Sequence, residues 1–119
     1  MSLNVDVVVR GPDGEFEVLD TPAGVDDSAG FESWRQKVWG SDVVRSLGAR
    51  YLPLVDGEWM EVPTEELPLF LEELALLRAR LDVICAAVGV HPSSIVRRLD
   101  NIEAATLRAR EIGARVLIW

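Results

Sequence analysis

Cysteine is nearly missing from this chain: Cys85 is the single one in 119 residues. One cysteine excludes an internal disulfide framework and suits a reducing compartment. His91 is likewise the only histidine. One His with one Cys falls short of the three or four nitrogen or sulfur ligands of a transition-metal site, so neither metal nor cofactor is expected. Long apolar runs are lacking too, because Glu72, Glu73, Arg78 and Arg80 interrupt the richest stretch. A membrane crossing needs about 18 uninterrupted apolar residues, so none is expected. The first residues carry neither a basic start nor an apolar core. No secretion signal is therefore read, and a cytoplasmic location is expected.

Catalytic constellations are equally scarce. Gly11-Pro12-Asp13-Gly14 brings an acid where a phosphate-binding loop wants a lysine. Asp26-Asp27 lacks the alternating acids and distant glutamate of a calcium loop. Glu72 and Glu73 are neighbours on a helix and point about 100° apart, so they do not converge on a substrate. Cys85 and His91 lie within reach of each other in sequence. Cys85, however, falls in the apolar end of a helix, where a thiolate is costly and a small core residue is the expected role. The chain is read as a non-enzyme.

Hydrophobic residues make up 49% of the chain and charged residues 27%, the balance of a folded domain. At this length about two-thirds of the unfolded surface can be buried, which supports one domain over residues 1–119. The formal charge is −8 and is unevenly spread. Asp13 to Glu32 contains seven acids and no base, and so does Asp56 to Glu73. These blocks carry −14, leaving +6 on the remainder. Such polarity repels polyanions and draws cationic partners to the acidic side.

Alternation predicts a strand over Asn4–Arg10, a turn at 11–14, and a return strand through Phe16 and Val18. Asp20–Gly30 reads as loop. Phe31, Trp34 and Val38 recur at helical spacing up to Gly40, and Ser41 or Asp42 caps a short turn ending at Gly48. Tyr51–Val55 suits a strand at an edge, joined through the Asp56-Gly57 turn signal to Trp59–Val62. Thr64 reads as the N-cap of a helix running to about Val88, closed by Gly89. Pro92 opens the next helix, whose buried face is read as Ile95, Leu99, Ile102, Leu107 or Ala109, and Ile112, up to Gly113. Val116–Trp119 forms a last strand paired inside the sheet. The fold class is α+β: a small antiparallel or mixed sheet of about five strands with a long helical hairpin on one face.

Trp34 and Trp39 are five positions apart, about 140° on an α-helix, so one of them is expected to be partly exposed. Core packing is expected for Trp34, Trp59 and Trp119. The alternative sets Trp39 or Trp59 beside acids as an anchor for a protein partner.

Two resemblances bear on function. Residues 84–99 (Ile84 to Leu99, with Gly89 at the turn) resemble the helix-turn-helix of bacterial regulators. That likeness implies Ser93, Ser94 and Arg97 facing a major groove. Arg98 departs from it by standing where an apolar residue belongs, and the net charge of −8 opposes DNA, although residues 78–115 carry seven bases against four acids. Taken whole, the chain resembles small acidic bacterial immunity-type proteins that neutralise toxin domains. The likeness is one of architecture and charge, carried by Gly14-Glu15-Phe16-Glu17, by Asp56-Gly57-Glu58-Trp59-Met60-Glu61 and by Ala114–Trp119. It implies a non-catalytic protein-binding module that covers a basic effector with its acidic surface. The expected partner-binding residues are Asp56, Glu58, Trp59, Glu61, Glu65 and Glu66. A DNA-binding regulator is the alternative. A homo-oligomeric structural protein with Leu69, Leu76 or Trp39 at a self-complementary contact is another.

Overall fold

The computed structural model describes residues 2–119. Five strands, β1 (Ser2–Arg10), β2 (Phe16–Val18), β3 (Ser28–Phe31), β4 (Met60–Val62) and β5 (Arg115–Ile118), form one antiparallel sheet. Its order is β2-β1-β5-β4, with β3 pairing the start of β1. Four helices complete the chain: α1 (Asp42–Ser46), α2 (Leu67–Ala79), α3 (Leu81–Val88) and α4 (Pro92–Ile112). The α+β class and the count of about five strands stand as read, though one expected strand is replaced by another, and the sheet is antiparallel throughout.

The register explains the layering. Val5 faces Ile118 and Val7 faces Val116 across β1/β5, while Met60 and Val62 pair with the same two residues across β4/β5. With Leu3 these side chains form the helix-facing side of the sheet, and all are buried. The alternate residues Asp6, Val8, Arg10, Glu61, Leu117 and Trp119 lie on the other side, which no helix covers. Val8 and Leu117 on that side are nonetheless buried, so β1 carries buried valines on both of its faces.

The α4 helix is bounded as its sequence suggests. His91 Nδ1 accepts the Ser93 amide at 3.1 Å, Pro92 occupies the first turn, and Gly113 ends the helix at φ +69. Ile95, Leu99, Ile102, Ala105 and Ala109 are buried at three- and four-residue steps. Of the alternatives Leu107 or Ala109, Ala109 takes the buried place and Leu107 is 48% exposed; Ile112, read as buried, is out of phase with the stripe and 62% exposed.

Several expectations are corrected. Residues 51–55 are not a strand: Leu52–Val55 is a 3₁₀ turn with Pro53 in its first positions. Asp56-Gly57 accordingly joins no hairpin, and β4 pairs with the distant β5. Thr64 does not cap α2. Its hydroxyl donates to the carbonyls of Ala114 at 2.6 Å and Gly113 at 3.2 Å, tying the start of α2 to the start of β5. The helix expected to run to Val88 breaks at Arg80 (φ −117, ψ 26). No glycine or proline lies between residues 69 and 88 to mark this break. Tertiary packing sets it, because α2 lies on α4 whereas α3 also packs on α1 and the 35–39 turn. Within the expected 20–30 loop, Ser28–Phe31 pairs with β1 around a register shift at Leu3/Asn4.

Trp34 and Trp39 are both buried, at 3% and 0% exposure. Residues Arg35–Trp39 form a π-helical turn, whose wider winding brings positions five apart onto one side. The two indoles meet edge to face at 5.6 Å, and Trp39 Nε1 donates to the Ala29 carbonyl at 2.7 Å. The 140° separation expected on an α-helix does not apply, because the turn is not α-helical. Trp39 is consequently not available for a self-complementary contact.

Candidate functional site

Alternation in β4 and β5 decides the place of the other two tryptophans. Met60 and Ile118 point at the helices, so their neighbours Trp59 and Trp119 emerge on the open face of the sheet. They are 44% and 48% exposed, contrary to the core packing expected of them. Trp119 is pinned there: its backbone exchanges two hydrogen bonds with Asn4, and its indole Nε1 donates to Asp6 Oδ2 at 2.8 Å. Trp59 meets the ring of Phe16 edge to face at 5.5 Å. Phe16 and Val18 reach the same face through their pairing with Arg10 and Val8. Val18 is 42% exposed.

Two adjoining clefts result, and Trp59 and Trp119 line both. One, of about 340 Å³, is walled by Phe16, Val18, Trp59, Leu117 and Trp119, with Glu15 at its lip. The other, of about 530 Å³, is lined by Glu32, Ser33, Arg35, Gln36, Gly57 and Glu58 beside the two indoles. Monomer surfaces rarely concentrate large aromatics in the open, and buried-on-binding Trp dominates protein interfaces. The π-helical turn supplies Arg35 and Gln36 to the larger cleft. Arg35 donates to the carbonyls of Val55 at 3.0 Å and Glu58 at 2.7 Å and pairs with Glu32. It thereby braces the backbone that presents Trp59.

The six expected partner-binding residues differ in what they touch. Glu58 and Trp59 stand together on the cleft rim. Glu61 is consumed internally, held by Arg10 at 3.0 Å and Arg115 at 2.8 Å with 14% of its side chain exposed. Burial works against its charge, yet the two guanidinium groups outweigh burial and hold its carboxyl below the usual range. Asp56 pairs with Arg45 at 3.3 Å. Glu66 accepts from the Tyr51 hydroxyl at 2.8 Å. Glu65 is exposed in the Thr64–Glu66 turn that leads into α2 and lines neither cleft. Sequence reasoning missed Phe16, Val18 and Trp119 as surface groups. Their only signal was parity along the strands, and it becomes decisive once the pairing is known. Glu15, Glu17, Glu58 and Asp20 are exposed and form no ion pair among the described residues.

The remaining chemistry-bearing groups are engaged in structure. Glu73 is buried, and its carboxylate accepts the amides of Arg50, Tyr51 and Leu52, capping the 3₁₀ turn. His91 is spent capping α4. Cys85 is half-buried on α3; burial, aided by Asp82, pushes its thiol up, against the thiolate a nucleophile needs. Arg97 is exposed and pairs with Asp26 at 3.4 Å. Ser94 is half-buried, its hydroxyl accepting from Arg98 at 3.1 Å. Among the described residues no three His, Cys, Asp or Glu side chains group to hold a metal, and no helix is long and apolar enough to cross a membrane. Comparison of the chain with protein-family models, with curated proteins and with solved structures finds no match.

Proposed function

We propose that this protein is a non-catalytic protein-binding module, of the immunity type, that covers a basic effector protein. The observation that carries the reading is the pair of half-exposed tryptophans on the sheet face that no helix covers, rimmed by the unpaired acids Glu15 and Glu58. Indoles held rigid by Phe16 and Asp6 offer large apolar contact at little entropic cost. The acids around them steer a cationic partner and speed its association. The contact centre moves accordingly from the whole 56–66 stretch to Glu58 and Trp59, joined by Phe16, Val18 and Trp119.

The test uses wild type and a Trp59→Ser variant as paired baits in the native host, followed by reconstitution from purified components. The expected result is a basic protein held by wild type and lost by the variant, with an association rate that falls steeply as salt rises. Equal retention by both baits, or a salt-independent rate, would overturn the proposal. Retention of duplex DNA abolished by Arg97→Ala would favour the helix-turn-helix reading instead.

A further inference from the structure

We propose that the smaller cleft, between Phe16, Trp59 and Trp119, receives an arginine side chain of the partner. The inference rests on the protein-binding reading above and names the group recognised. Its walls are three aromatic rings, Val18 and Leu117, and the one charged group at its lip is Glu15, with no base among the lining residues. An apolar side chain would fill the walls but make no use of that carboxylate, which is exposed and forms no ion pair within the described residues. A guanidinium on a three-carbon stem satisfies both halves of the cleft: the stem packs along the rings, and the planar head lies over an indole face within reach of a carboxylate. Glu58 extends the acidic rim on the far side of Trp59, where Arg35 is already committed to Glu32 and two carbonyls.

The fold uses this contact twice within itself. Arg10 lies over the Phe16 ring at 4.2 Å, its nitrogens bonded to Glu61 and the Gly14 carbonyl. Arg98 lies over Phe31 and Trp34 at 5.3 and 5.5 Å. The faces of Trp59 and Trp119 have no such internal cation among the described residues. Arginine is favoured over lysine because a planar, weakly hydrated guanidinium stacks on indole and pairs with a carboxylate in two-pronged fashion.

The experiment titrates the isotope-labelled full chain at low salt with three short acetylated peptides that differ at one position: arginine, its neutral isostere citrulline, or leucine. The indole N–H signals of the four tryptophans are the readout. The arginine peptide should move the Trp59 and Trp119 signals, leave Trp34 and Trp39 in place, and bind at least tenfold more tightly than either neutral peptide. Trp59→Ala should remove the response. The Glu15→Gln/Glu58→Gln pair, which changes only exposed groups, should weaken it severalfold. Equal response to citrulline or leucine would overturn the arginine assignment, as would silence of Trp59 and Trp119 toward the arginine peptide. If a basic protein still binds through Trp59 but the arginine peptide does not compete, this inference fails while the protein-binding reading stands. If the arginine peptide binds as described but no basic protein is held, the broader reading fails instead.

Discussion

Replacing Glu73 by Ala tests how the site is braced from below. The Glu73 carboxylate accepts the amides of Arg50, Tyr51 and Leu52, at 3.0 Å for Tyr51 and 2.9 Å for Leu52. These are the orphan donors at the start of the 52–55 turn, and a carboxylate at such an N-terminus also meets the turn's dipole favourably. Removing it leaves buried amides without a partner at about 1–3 kcal/mol each, and the Leu52 amide lies fully out of solvent. Counting the two most buried donors, a loss of about 3 kcal/mol is expected. Unfolding entropy of about 2.1 cal/mol/K per residue converts that to a Tm drop of about 12 °C for a chain of this length. Glu73→Gln keeps an acceptor oxygen but turns an NH₂ toward the same donors, so about half the loss is expected. The effect should reach the site, because Val55 at the end of that turn is one of the two carbonyls that hold Arg35 behind Trp59. Urea unfolding followed by far-UV circular dichroism, with Glu72→Ala as the exposed neighbour control, gives the numbers. An Ala variant within about 0.5 kcal/mol of wild type, the scatter of ordinary surface changes, would show that water replaces the carboxylate and would refute the argument.

Three further outcomes are expected. Tyr51, the only tyrosine, is pushed up to about 12 by burial and by its hydrogen bond to Glu66. Its contribution to stability is complete below the unfolded value near 10 and is lost as pH rises through about 12; tyrosinate absorbance should titrate accordingly, with Glu66→Gln lowering the midpoint, and an ordinary midpoint would contradict the contact. Glu61 shifts the other way: its carboxyl is held down, so its contribution is present above the unfolded value of 4.5 and is lost as pH falls through the lower folded value. The stability gap between wild type and Glu61→Gln should therefore close in acid, and a gap that stays constant would refute the ion-pair account. A Cβ at Gly40 would meet the Arg35 carbonyl and the Asp56 side chain, so Gly40→Ala should cost about 1–3 kcal/mol and redden Trp emission as the π-helical turn loosens; unchanged thermal unfolding would argue against that close packing.

Much of this architecture follows from local patterns in the sequence. The alternation of Asn4–Arg10, the Gly11–Gly14 turn, the Ser41 cap and the α4 bounds at Pro92 and Gly113 are each determined within a few residues, because dihedral preference and capping act at that range. The placement of acids in two blocks was also plain. Tertiary structure alone decided the rest. The break at Arg80 carries no local mark, and the π-helical turn that buries Trp34 with Trp39 depends on packing from several elements. Which acids remain available was equally non-local: Glu61 is neutralised by Arg10, 51 residues away, and by Arg115, 54 residues away. The open aromatic face depends on the same long reach. Trp59 and Trp119 point away from the helices only because β4 and β5 pair in a register that turns Met60 and Ile118 inward, and a one-residue slip would have exchanged the two faces.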